Sequence, residues 1–85
     1  MAEEKLIGKI THYFGKIGVA VIELSDTLKV GDTIHIKNSD RDFSQQVSSM
    51  QIEHEQVESA GAGKSVGLKV DQKVHEGDEV YLVSE

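Results

Sequence analysis

Eighty-five residues carrying fifteen Asp and Glu against nine Lys and Arg, a net charge of −6, predict one small acidic domain across residues 1–85. A chain of this size buries only roughly 60–65% of its unfolded surface, so the core is thin and leaves little room for a deep catalytic cleft. The absence of cysteine excludes disulfides and thiolate metal sites, and the acidity opposes general binding to phosphate backbones.

The first residues, Met1-Ala2-Glu3-Glu4-Lys5, place acids where a secretory signal needs positive charge, and no apolar run approaches membrane-spanning length. With no cysteine, the expected setting is cytoplasmic. Residues 6–14 read as a strand, with Leu6, Gly8, Ile10 and His12 on one face and Ile7, Lys9, Thr11 and Tyr13 on the other. Gly15-Lys16 is a candidate turn. Residues 17–24 form a near-continuous apolar run, the usual mark of burial on both faces. A barrel strand nevertheless has one outward face. Tyr13 and Phe14 stand just before this run, so Tyr13, Phe14, Val19 and Val21 form the candidate partner surface, for another protein or a second copy of this chain.

Two Gly-Asp turns punctuate the chain. Leu28-Lys29-Val30-Gly31-Asp32-Thr33-Ile34-His35-Ile36 contains the first and Val74-His75-Glu76-Gly77-Asp78-Glu79-Val80-Tyr81-Leu82 the second. Glycine accepts positive φ without a Cβ penalty and aspartate bonds its own backbone, so each is a strand entry. After the first turn, Ile34 and Ile36 alternate inward with Thr33, His35 and Lys37 outward. Asn38-Ser39-Asp40-Arg41-Asp42 is a polar loop. Val66, Leu68 and Val80 join Ile34 and Ile36 as expected core residues.

Residues 43–57 fit two templates. Phe43, Val47, Met50, His54 and Val57 fall on a helical stripe, with Asp42 placed to cap it and Gln45 at the third helical position. A strand would instead align Phe43, Gln45, Val47 and Ser49, then need a bulge before Met50, Ile52 and His54. Periodicity alone leans to helix.

Gly61-Ala62-Gly63-Lys64-Ser65 imitates the end of a phosphate-binding loop. The pattern needs glycine where Glu58 stands, and a following helix where Val66-Gly67-Leu68-Lys69-Val70 alternates as a strand. No nucleotide or other cofactor is expected. The histidines His12, His35, His54 and His75 are too far apart in sequence to spell out a metal-ligand pair, and read as surface or rim residues. No Ser-His-Asp set or carboxylate pair is indicated, so no catalytic residue is assigned and an enzyme is not expected.

The string from Leu28 to Ile36 resembles the second domain of elongation factor Tu and its archaeal and eukaryotic counterpart, the barrel common to translational GTPases. Phe43-Ser44-Gln45-Gln46-Val47-Ser48-Ser49-Met50-Gln51 is similar to the family's strand after the polar loop. Val57-Glu58-Ser59-Ala60-Gly61-Ala62-Gly63-Lys64-Ser65-Val66-Gly67-Leu68 is similar to its Ala-x-x-Gly-x-x-Val-Gly turn and strand, and Gly77-Asp78-x-Val80 to its closing turn. The resemblance covers a core of about residues 6–83 and implies an all-β fold, a small closed antiparallel β-barrel of about six strands, with residues 43–52 as strand. It also implies a stand-alone, translation-associated binding module with an RNA or ribosomal partner. Tyr13-Phe14-Gly15-Lys16-Ile17-Gly18 replaces the family's Arg-Gly-Thr-type stretch, so no transfer-RNA contact carries over. The alternative is a protein–protein or accessory module unrelated to RNA, since some peptidases and RNA-modifying enzymes carry similar small barrels. Charge favours the protein partner.

Overall fold

The computed structural model describes residues 3–37, 42–53 and 55–84. Its strands are β1 (Glu3–Phe14), β2 (Val19–Leu24), β3 (Leu28–Lys29), β4 (Thr33–Lys37), β5 (Asp42–Gln46), β6 (Met50–Ile52), β7 (Glu55–Val57), β8 (Ser59–Ala60), β9 (Ser65–Lys69) and β10 (Glu79–Ser84). All pairings are antiparallel, and no helix occurs among the described residues.

The two Gly-Asp turns are built alike. Gly31 and Gly77 adopt φ of 95° and 90°, the left-handed region that disfavours any side chain. Asp32 Oδ2 accepts the Lys29 N–H at 2.9 Å, and Asp78 Oδ2 accepts the His75 N–H at 2.9 Å. Each aspartate N–H donates back, Asp32 to Lys29 O at 3.1 Å and Asp78 to His75 O at 3.2 Å. The strands launched by these turns, β4 and β10, then pair with each other from Lys37 opposite Glu79 to Thr33 opposite Val83.

The main sheet runs β5-β4-β10-β1-β2-β9-β6-β7, and β3 pairs with β8 separately. Among the described residues ten strand segments replace the six or so expected; residues 47–49 and Glu58 each divide a stretch that would otherwise read as one longer strand. Among the described residues no ladder joins β5 to β7. Single backbone bonds link that region to the first Gly-Asp turn: Gly31 N–H to Val47 O and Val47 N–H to Asp32 O, both 2.8 Å, and Val30 N–H to Glu58 O at 2.9 Å. Residues 38–41 of the polar loop and His54 lie outside the described residues.

One core cluster fills the interior. Ile34, Ile36, Val66, Leu68 and Val80 all lie inward as the alternation predicts, joined by Ile7, Ile10, Ile22, Leu28, Met50 and Val74. Strand β1 departs from strict alternation. Register shifts between Leu6 and Gly8 and between Ile10 and His12 each reset the facing, so Ile7 and Ile10 are both buried and Tyr13 packs against the core. Gly8 allows β2 its close approach: a Cβ there would stand 2.6 Å from Glu23 O.

Strand β2 is not buried on both faces. Ala20, Ile22 and Leu24 point inward while Val19 and Val21 are half-exposed, and Gly18, at φ 67°, ends the turn so that the strand begins only at Val19. Among the described residues, 43–57 hold the short strands β5, β6 and β7 and no helix, as the resemblance implied for 43–52 and against the helical periodicity. Phe43, Gln45 and Val47 face inward, the irregular segment 47–49 does the work of the expected bulge, and Met50 re-enters the core. The helical stripe was the spacing of inward positions across that break.

Candidate interaction surface

The outer face of the β1–β2–β9–β6 region carries the apolar residues that the inward alternation leaves over. Phe14 lies opposite Val19 and His12 opposite Val21 across the β1–β2 ladder. On the other side of β2, Val21 lies opposite Gly67 and Val19 opposite Lys69, and Gln51 lies opposite Gly67 across β6 and β9. The result is a shallow depression of about 250 Å³, lined by Phe14, Ile17, Val19 and Val21 from the hairpin and by Ser65, Gly67, Gln51 and Glu53 from the neighbouring strands. Phe14 and Ile17 are 50% and 65% exposed. The His12 ring stacks 6.2 Å from that of Phe14.

Of the four residues expected on this surface, the structure brings together Phe14, Val19 and Val21. Tyr13 is turned away: it pairs with Ala20, which is fully buried, and packs on the core. Ile17, expected as strand, lies in the turn and belongs to the surface. Gly15 and Gly18 bracket it, and two glycines within four residues are the signal that it sits at a turn tip rather than in a strand.

A polar cluster occupies the outer face at the other end of the sheet. His35 contacts Glu4 through Nδ1 and Asp42 through Nε2, and Lys37 pairs with Glu4 while its Nζ stands 4.9 Å above the Tyr81 ring. A neutral imidazole donates from one nitrogen only, so two flanking carboxylates favour the imidazolium. Burial pulls the His35 pKa down, but hydrogen bonds to Glu4 and Asp42 outweigh it and hold the group above its ordinary 6.5. Glu4 is held below the usual carboxylate range, by Lys37 first and then by His35. His35 is on the outward face, as expected of a surface histidine, yet it is an engaged cross-strand tie. Its two nitrogens point to separate carboxylates, so the trio cannot converge on one ion. Among the described residues no group of three His, Asp or Glu side chains is placed to hold a metal.

The Gly63-Lys64-Ser65 segment is a tight turn. Gly63 has φ 86° and donates its N–H to Leu24 O at 2.8 Å, Lys64 donates to Gly61 O at 3.3 Å, and Ser65 opens β9 rather than a helix. Its glycine amide is spent on the protein's own carbonyl, and no helix N-terminus stands behind it to receive phosphate.

No family model matches the chain. Over 80 residues, 93% of its length, it is 45% identical to an uncharacterized protease of Methanocaldococcus jannaschii, and it spans about 20% of that relative. Two crystal structures share its fold, both of the C-terminal domain of a Geobacillus thermoleovorans protein described as a U32 peptidase. One, the selenomethionine variant, superposes with a TM-score of 0.85 at 16% identity, covering 89% of this chain and 96% of that one. The other gives 0.87 at 16% identity, covering 92% and 91%.

These relatives overturn the resemblance to elongation factor Tu, and with it the translation-associated function. The strings that carried it are turns and inward-facing strand positions. Gly31, Gly77 and Gly63 are there because the backbone needs positive φ. The alternation of Val66 and Leu68 is there because one face is buried. Such features are set by strand geometry and recur wherever a similar sheet is built. No helix among the described residues is long and apolar enough to cross a membrane.

Proposed function

We propose that this chain is a non-catalytic accessory domain of a U32-type peptidase system, docking on a peptidase body through the surface formed by Phe14, Ile17, Val19 and Val21. The observation that carries the reading is the 45% identity to one-fifth of a protease. The fold shared with peptidase C-terminal domains supports it. A domain that makes up one-fifth of a longer protein has a neighbour to meet, and an apolar outer strip rimmed by polar groups is the kind of surface that meets one.

The proposal includes a closed barrel. The Gln45 side chain bridges β5 to the end of β9, and Val47 and Glu58 tie the sheet's two ends to the first Gly-Asp turn. It also includes a cytoplasmic setting, consistent with a chain that has no cysteine.

The test uses the Methanocaldococcus jannaschii protease from which the matched fifth has been removed, mixed with this chain and followed by sedimentation velocity. The account expects a faster boundary containing both proteins, lost when Val21→Glu replaces the parent. Independent sedimentation of parent and body would reject the docking function.

A further inference from the structure

The docking surface is more specific than an apolar strip, and three of its features say what it accepts. The first is Gly67. It lies mid-strand in β9 without a positive φ, and an added Cβ would meet only Val19 Cγ1 at 3.5 Å and Gln51 O at 4.0 Å, ordinary contacts. Neither a turn nor crowding requires glycine there, yet glycine weakens a strand interior and often marks a place where another chain comes close. Its effect here is to leave the depression open at its centre. The second is Glu53, the one non-glycine residue of positive φ among the described residues, at 52°. Ile52 pairs with Glu55, so Glu53 opens a two-residue hairpin turn in which positive φ fits the strand twist, and that turn places Glu53 on the lining. The third is charge. Glu53 is the one charged residue on the lining and takes part in no ion pair among the described residues. Lys69 stands on the same outer face but does not line the depression.

Size and openness narrow the class of occupant. About 250 Å³, open and shallow, lies below the roughly 300–1,000 Å³ of enclosed small-molecule sites. Its size and apolar walls suit an aliphatic side chain. We propose that the depression over Gly67 receives an aliphatic side chain of a protein segment whose neighbouring lysine or arginine meets Glu53. The chain's net charge of −6 favours such a basic segment over an acidic one. This rests on the reading of the domain as a docking module and adds the chemistry of the partner.

Two ten-residue peptides, identical except that one presents Leu-Arg and the other Leu-Glu at its centre, are titrated into the intact chain and followed by amide NMR. The Leu-Arg peptide should shift the Val19, Val21, Gln51 and Gly67 amides and bind about tenfold more tightly than its acidic counterpart. Glu53→Gln should cost roughly two- to fivefold, the worth of a pair at the solvent edge. Gly67→Leu should fill the depression with the domain's own side chain, abolishing the shifts while melting no lower than the parent. Equal binding of both peptides, no shifts with either, or shifts elsewhere would overturn the proposal. So would shifts at Val21 and Gly67 that follow protein concentration without peptide, which would make a second copy the occupant. Because the experiment uses this chain alone, its failure leaves the sedimentation test of the accessory reading unaffected.

Discussion

The side-chain amide of Gln45 holds Asp71 as a neighbouring strand would: Oε1 accepts the Asp71 N–H at 2.8 Å while Nε2 donates to Lys69 O at 2.8 Å. Gln45 is 7% exposed, in a position where the alternation of β5 calls for an apolar residue. A primary amide carries an acceptor oxygen beside a donor NH2 group, and one of its N–H bonds with the oxygen offers the pair a peptide group presents, so it can continue a ladder where the backbones are too far apart. Gln45→Leu is of similar size and removes both part-buried bonds, a loss of about 1–3 kcal/mol for the two together. Urea unfolding should show that loss, and exchange of the Asp71 amide should accelerate. Unchanged Asp71 protection would mean that Gln45 does not tie β5 to the end of β9.

Ile36 is fully buried at the centre of the core, opposite Val80 on one side and Phe43 on the other. Ile36→Ala should cost roughly 2–4 kcal/mol, much of the stability of so small a domain. A melting temperature within a degree or so of the parent would contradict the inward placement of β4.

Gly31 and Gly77 have no atom within 4 Å of where a Cβ would stand, so substitution there tests backbone conformation without steric overlap. Gly31→Ala and Gly77→Ala should each destabilise by about 1 kcal/mol, because alanine at positive φ is strained. D-alanine, introduced by chemical synthesis, should restore or exceed parental stability. Equal destabilisation by both enantiomers would point to a cause other than φ.

His35 couples stability to pH. Its folded-state pKa is raised above 6.5, so the protonated form favours folding. That contribution is complete below about pH 6.5 and is lost as pH rises through the elevated value. The urea midpoint should therefore fall across this window at low salt, and His35→Gln should flatten the fall. A titration of the His35 ring by NMR that gives an unshifted or lowered pKa would contradict the tie to Glu4 and Asp42.

Much of the core was legible from residue order, because burial on one face of β4, β9 and β10 forces Ile34, Ile36, Val66, Leu68 and Val80 onto a period of two. Strand β1 was not, because bulges move inward positions to Ile7, Ile10 and Tyr13, a spacing that belongs to neither regular template. The periodicity of residues 43–57 misled for a similar reason, a break at 47–49 between short strands imitating a helical stripe, whereas the strand expectation for 43–52 holds in β5 and β6. Phe14, Val19 and Val21 could be found because an apolar run on a strand has to show one face outward. Gly67 and Glu53 could not, since the significance of both lies in what stands beside them across other strands. The His35 tie joins β1, β4 and β5, partners far apart in sequence, and no local spacing announces it.

The central claim is that this domain docks through the Phe14, Ile17, Val19 and Val21 face onto a peptidase body. The most direct measurement is calorimetry of a chimera in which this chain replaces the matched fifth of the Methanocaldococcus jannaschii protease, with and without Val21→Glu. Val21 is half-exposed, so the substitution should leave the isolated domain folded. The account predicts a single cooperative transition for the parental chimera and two separate ones for the variant. Two separate transitions in the parental chimera, at the temperatures of the isolated parts, would contradict it.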